Sequence, residues 1–392
     1  MNFFDNNYND YIKTFISGKF NIDINKLICT RDYNINPWNF PKINNILTPK
    51  VLSKIQDKQL FLIVDISYES EYIFVDFLLN RIAIPHNIPT EQLIIIASSK
   101  DVENYIMKEC DEIGINHPLI VNLMFFERNM KKRLLLDFRD NNENIDDLFK
   151  LNTSSISLIN GLYKNTNKKY LNLNRLWRPH RIALMMILES ENLLDYGYNS
   201  FIGKPHLQEL STKKTAEELW HDSLNQVTDR YKDLKDLIIR GQTLKEKLPL
   251  ILDTSDYKVN HALSSHRKLF KYFNDSWFSV VSETNYLSSQ PKFLTEKTFK
   301  AISFKHPFIL NSTPYSLDFL KDLGYKTFEN IIDENYDTEK DDNKRMMMVA
   351  TEIKRLCNLT EEEVTNFKNN AIPIVEYNLK HFLTEKDYFN RI

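Results

Sequence analysis

The chain has 392 residues, 42% hydrophobic and 27% charged, enough to bury a sizeable core and to divide into two domains. A net charge of -2 and a pI near 6.5 exclude a molecule drawn to nucleic acid by its overall charge, although a local basic groove remains open to it. Cys29, Cys110 and Cys357 lie too far apart for a disulfide framework or paired zinc ligands, and no run approaches the ~18 apolar residues of a membrane span. The opening MNFFDNNYNDY has no basic segment ahead of an apolar one, so a cytoplasmic protein with reduced thiols is expected.

Residues 1–50 are polar, dotted with aromatics and interrupted by Pro37 and Pro41, and no element is assigned there. Leu60–Ile66, LFLIVDI, is a near-continuous apolar run of the kind that forms a strand buried on both faces. A helical pattern over about 70–83 follows. Next come a strand at Leu93–Ala97, a helix at Asp101–Ile113 and a strand at Leu119–Phe126. This alternation predicts a parallel sheet, a Rossmann-like half without a GxGxxG loop.

The polar stretch between Asp140 and Lys169 marks a boundary, giving a first domain at 1–165. A second α/β unit begins with a strand at Tyr170–Leu173. Leu173–Arg181 then leads into an amphipathic helix to about Leu194, with Gly197 as its stop. Leu207–Lys247 is charged and helix-periodic and reads as an insertion. Phe278–Val281 and His306–Leu310 read as strands, and between them Thr295 caps a helix that starts TEKTFK. Ser316–Leu323 should be helical up to Gly324. Asp333–Arg345 reads as a solvated acidic loop. Met346–Leu356 and Glu361–His381 read as helices, the second kinked or broken at Pro373.

Two clusters carry potential chemistry. In the first, Glu296 and Lys297 stand side by side at the positive end of the helix capped by Thr295, with Glu283 after the preceding strand. Anions settle at helix N-termini and at the carboxyl ends of parallel strands, so Lys297 is placed to meet a phosphate and Glu296 or Glu283 to accept from sugar hydroxyls. The bland account is a carboxylate complementing the helix dipole beside a solvated lysine. In the second cluster, Asn174, Arg175, Arg178, His180 and Arg181 follow the strand at 170–173. Guanidiniums there suit a diphosphate, Arg175 and Arg178 better than Arg181, which already lies in the helix; a solvated basic loop is the alternative. There is no phosphate-cradling glycine loop, no Asp-x-Asp and no paired histidine spacing, so metal-independent chemistry without a cofactor is expected.

Glu283-Thr284 with Phe293-Leu294-Thr295-Glu296-Lys297-Thr298 resembles the donor-site signature of α1,3-fucosyltransferases and related GT-B glycosyltransferases. The wider set of blocks is similar to phage and bacterial glycosyltransferase-like proteins: LNLNRLWRPHRIALMMIL, HPFI, LGYKTF and IDENYD. The resemblance covers about the C-terminal half. It implies a GT-B-like α/β fold with two Rossmann-like domains facing a cleft, a donor domain at 166–370 and a C-terminal helix, 371–392, crossing back to the first domain. It further implies a nucleotide-sugar donor, with one glutamate on the ribose and the adjoining lysine on the diphosphate.

Glycosyl transfer then needs a base on the first domain. Asp65 and Glu69 follow the first buried strand at its carboxyl end, where such a group belongs; as bland alternatives they cap the next element. The acceptor classes are a hydroxymethylated pyrimidine in phage DNA or a glycan of lipopolysaccharide or capsule. A DNA acceptor would use the basic run Lys131-Lys132-Arg133 with Arg128, Lys54 and Lys58. A relative that binds nucleotide without catalysis is the non-enzymatic alternative.

Overall fold

The structure, a computed structural model, describes residues 6–29, 47–67, 82–99, 101–122, 166–174, 177–201, 216–252 and 266–384, with Asn80 and single positions between 124 and 134. The chain divides into two compact units, Met1–Phe125 with Asp387–Ile392, and Phe126–Lys386. This division falls earlier than the boundary expected from the polar stretch at 140–169.

The first unit is built on four parallel strands in chain order, β1 (Leu27–Cys29), β2 (Phe61–Asp65), β3 (Leu93–Ala97) and β4 (Leu119–Asn122). Because side chains alternate along a strand, the apolar runs FLIVD and LIIIA feed both faces. Leu62, Val64, Leu93 and Ile95 pack with Ile55 of α2 (Pro49–Gln56) and with Val102, Ile106 and Cys110 of α3 (Val102–Ile113). Ile63, Ile94, Ile96 and Val121 pack on the other face with Ile12 and Ile16 of α1 (Asn6–Phe20). α1 and β1 lie where no element was assigned; α1 carries only a thin apolar stripe, and β1 is three residues long. The helix expected at 70–83 falls mostly outside the described residues.

The second unit holds four parallel strands in the order β6-β5-β7-β8: β5 (Tyr170–Asn174), β6 (Gly197–Phe201), β7 (Phe278–Ser282) and β8 (Phe308–Asn311). β5 leads through α4 (Pro179–Ser190) to β6 on one side, and β7 leads through α8 (Glu296–Ser303) to β8 on the other. The connections therefore diverge between β5 and β7. Leu171 faces Leu269 and Phe273 of α7 (His266–Asn274) and Phe304, while Asn172 on the opposite face meets Met185 of α4. Helices α5 (Ala216–Arg230) and α6 (Lys235–Arg240) fill the charged insertion and pack on α4.

Gly197 opens β6 instead of only stopping a helix. A Cβ there would lie 2.2 Å from the Tyr170 ring, so the strand pair closes only over glycine. α9 (Ser316–Asp322) ends before Gly324, whose φ of +89° suits glycine alone. α10 (Asp342–Cys357) starts earlier than expected and takes in Arg345, and α11 (Glu361–Thr384) runs through Pro373 as one helix. α11 packs within the second unit, Phe382 stacking on Phe299 of α8 at 6.4 Å and Phe367 meeting Trp277 edge-on at 5.2 Å. The remainder of the crossing expected for 371–392, from 385 on, lies outside the described residues. Among the described residues no helix is long and apolar enough to cross a membrane. The α/β class is as expected, with the two parallel-sheet halves that a GT-B-like fold requires.

Candidate functional site

The point between β5 and β7 where the connections diverge is where open parallel sheets leave a crevice at their carboxyl ends. Two helices begin there. α4 is preceded by the extended Arg178 and opens with Pro179, whose missing N–H costs nothing at a first turn. α8 is capped by Thr295, whose hydroxyl accepts from the Lys297 N–H.

Glu283 ties β7 to α8. Its carboxylate is fully buried and accepts from the Thr295 N–H at 2.9 Å, the Thr298 hydroxyl at 2.6 Å and the Thr295 hydroxyl. A charge is tolerable there because three donors, the helix dipole and Lys297 Nζ at 3.9 Å compensate it. Through these contacts the carboxylate holds the start of α8.

Lys297 and Glu296 are the members of that turn whose side chains keep some exposure. Lys297 Nζ lies 3.1 Å from Glu296 and donates to Thr295 Oγ1 at 2.9 Å, and its side chain keeps one-fifth of its surface exposed. Burial works against ionisation of Glu296, but the Lys297 and Lys300 charges prevail and hold its carboxyl below the usual range.

From the α4 side, buried Arg181 donates from one nitrogen to Ser282 O at 3.1 Å and Glu283 O at 2.9 Å. Burial and the neighbouring Arg178 lower its guanidinium to about 10. His180 contacts the same Glu283 carbonyl at 3.0 Å. A carbonyl only accepts, so Nε2 carries the proton. Burial and Arg181 push the ring pKa well down, leaving a neutral imidazole stacked on Tyr286 at 5.2 Å. Arg181 and His180 thus position the β7–α8 loop, and half-buried Arg178 stands at the entry of α4. Asn174, the last residue of β5, is buried and donates to Asn172 Oδ1 at 2.7 Å. Arg175 lies outside the described residues.

Sequence reasoning missed Arg345, placed there in an exposed loop. Its buried guanidinium donates to Ser312 O at 3.1 Å, Glu339 O at 2.8 Å and Tyr286 O at 2.5 Å, pairs with Asp342 at 2.6 Å and sits 4.4 Å from the Tyr286 ring centre. It clamps the loop after β7 to the end of β8. No sequence signal separates it from its charged neighbours Lys344 and Asp342. The loop around Asp337 is likewise not a solvated one: Asp337 is buried and accepts from the Leu317 N–H at the start of α9.

In the first unit, Asp65 is buried at the end of β2 and accepts from the Ser67 N–H at 3.0 Å and hydroxyl at 2.6 Å, a local turn of the capping type. Glu69, Arg128, Lys132 and Arg133 lie outside the described residues, and Lys131 is half-buried. Lys58 pairs with Glu91 at 2.9 Å. No group of three or more His, Cys, Asp or Glu able to hold a metal ion occurs among the described residues.

No family model and no curated protein matches the chain. One solved structure it is similar to is an alpha,alpha-trehalose-phosphate synthase (UDP-forming) from Burkholderia vietnamiensis. The likeness covers 90% of this chain and 75% of that one, at 9% identity and a TM-score of 0.40.

Proposed function

We propose that the protein is a glycosyltransferase that moves a sugar from a nucleotide-sugar, with a UDP-sugar as donor, to a hydroxyl acceptor. The observation that carries this reading is the pair of helix N-termini meeting between β5 and β7, with Lys297 and Glu296 on one and Arg178 on the other. Such a crevice offers backbone N–H groups and cations to a diphosphate and a carboxylate to vicinal hydroxyls. The motif resemblance of 283–298 points to the same chemistry.

In this reading Lys297 neutralises the diphosphate, Arg178 and Arg175 assist from α4, and Glu296 accepts from the ribose. Glu283, with its cap Thr295, supports the turn. As the bond from the anomeric carbon to the diphosphate oxygen breaks, negative charge builds on the leaving group and these cations stabilise it. The acceptor oxygen bonds to that carbon and gives up its proton to a general base, for which Glu69 is the choice. Asp65 shapes the turn that leads to it. The acceptor proposed first is 5-hydroxymethyl-pyrimidine in phage DNA, with Lys131, Lys132 and Arg133 on the DNA backbone; a lipopolysaccharide or capsule glycan is the competing class.

Thermal melting with UDP, GDP, CMP and their sugars tests the donor, since a ligand at about 100 times its Kd adds about 2.7 kcal/mol. At least one nucleotide-sugar should raise Tm, and a flat response to the whole panel would sink the reading. Labelled donor incubated with hydroxymethylated DNA and with envelope glycan decides the acceptor. Label in neither, with donor bound, would indicate a nucleotide-binding protein that does not transfer.

A further inference from the structure

One face of β5 carries a chain of side-chain hydrogen bonds whose direction can be worked out from its inner end. Tyr170, Asn172 and Asn174 alternate along the strand and so share a face, and Asn199 of β6 stands level with Asn172. All four are at least nine-tenths buried. Asn199 Nδ2 lies 2.9 Å from Leu194 O and 3.3 Å from the Tyr170 hydroxyl, which itself donates to Leu193 O at 3.2 Å. Backbone carbonyls only accept, so the Asn199 amide can be oriented one way only, with its oxygen towards Asn172. Asn172 must therefore turn its Nδ2 to that oxygen, at 3.3 Å, with Met185 Sδ at 3.1 Å as a second acceptor. Its own Oδ1 is left facing Asn174, which must answer with Nδ2, at 2.7 Å.

The consequence appears at the carboxyl end of β5. Asn174 Oδ1 lies on the side away from Asn172, is buried, and has no hydrogen-bond partner among the described residues. A flip of the amide would set two oxygens against each other at Asn172, so this end of the chain is locked as an acceptor. Two residues beyond the Asn172–Val280 pair stand Asn174 on β5 and Ser282 on β7, and Ser282 pairs with Asn311 of β8. On that same row Asn311 gives its Nδ2 to the Ser282 hydroxyl at 3.1 Å and leaves its own Oδ1 without a partner among the described residues.

We infer that Asn174 is a specificity residue of the donor crevice, whose amide oxygen, locked by the Tyr170–Asn199–Asn172 ladder, accepts a hydrogen bond from a hydroxyl of the ligand's sugar or ribose. This rests on the proposed function and alters one part of it. An unpaired lone pair repels phosphate oxygens, so Asn174 does not belong with the diphosphate-binding arginines. Asn172 and Asn199 act through Asn174 and are positioning residues.

The test uses the full chain and the nucleotide-sugar of the panel above that binds most tightly. Its affinity is compared with that of its 2′-deoxyribose analogue and of analogues lacking single hydroxyls on the transferred sugar, by calorimetry. The wild type should lose about tenfold or more with one analogue, because a buried acceptor is then left unpaired. The position of that analogue tells ribose from sugar. In Asn174→Ala, or in Asn174→Leu if the alanine variant does not melt cooperatively, the natural ligand should weaken to the level of that analogue and the discrimination vanish. Asn172→Leu should reduce discrimination without changing affinity for the nucleoside diphosphate beyond that loss. Discrimination retained in both Asn174 variants, or wild-type binding indifferent to every hydroxyl, overturns the inference and leaves the proposed function intact. Failure of the wild type to bind any nucleotide-sugar overturns both.

Discussion

β3 and β5 are interior strands of their sheets, each flanked on both sides by parallel partners, yet they are made of different material. β3 is LIIIA and buries nothing but hydrocarbon. β5 is YLNLN, and its Tyr170, Asn172 and Asn174 line one face. An apolar face closes on packing alone, at about 25 cal/mol per Å² removed from water. A face of buried amides is stable only where each donor finds an acceptor, since an unpaired one costs about 1–3 kcal/mol. The amide row of β5 meets that condition link by link and spends its last acceptor at the carboxyl edge. At the first sheet's edge, Asp65 accepts from Ser67 within its own turn. At the second sheet's edge, polar groups reach between elements, as Arg181 does to the Ser282 and Glu283 carbonyls.

Substitutions can break this contrast. The largest effect is expected for Glu283→Ala, which strands three buried donors at the start of α8 and should cost about 3–5 kcal/mol, read as a fall in Tm or in the urea midpoint. A loss below 1 kcal/mol would show that the carboxylate does not hold the turn. Lys297→Ala should cost about 1.5–3 kcal/mol of nucleotide affinity, a tenfold to hundredfold rise in Kd, with a smaller fall in Tm than Glu283→Ala. Unchanged affinity would remove Lys297 from the diphosphate.

The pH response sharpens the same contrast, because the second unit also holds a strained carboxyl. Burial raises Glu334 to about 7 against the pull of the Phe328 N–H, which donates to it at 2.6 Å. Between about pH 4.5 and 7 the folded protein keeps a proton that the unfolded chain has released, so this group lowers stability as pH rises through that window. Its full effect is on the order of 3 kcal/mol above it. Glu334→Gln keeps an acceptor for Phe328 and carries no charge, so it should melt above the wild type at pH 8 and converge with it near pH 5. Asp337, raised to about 6 by burial, remains in both proteins, and the difference isolates Glu334. The smallest effect belongs to the first sheet. Asp65→Asn retains an acceptor for Ser67 and should change stability by less than about 1 kcal/mol and leave nucleotide affinity alone. Lost turnover with intact binding would make Asp65, and not Glu69, the proton acceptor.

Much of this was legible in the residues. The runs FLIVD, LIIIA and FSVVS announce buried strands, and Thr295 followed by Glu296 and Lys297 announces a capped, charged helix start at a strand end. β6, GYNSF, was not legible, because its packing relies on a glycine against Tyr170 and an asparagine in a hydrogen-bond chain, neither of which raises local hydrophobicity. Arg345 escaped for a similar reason: a guanidinium that ends on backbone carbonyls has no complementary residue in the sequence to betray it.

Sequence alone determined the α/β class, the position of the strongest strands and the identity of the turn at 295–298, since periodicity and capping are local properties of a few consecutive residues. Tertiary structure alone decided that Glu283 is a strut, that Arg181 and Arg345 hold loops by their carbonyls, and that Asn174 ends a ladder with its oxygen unpaired among the described residues. Those roles depend on which donor each acceptor meets, as far as 103 residues away along the chain, and only the folded sheet brings the partners together.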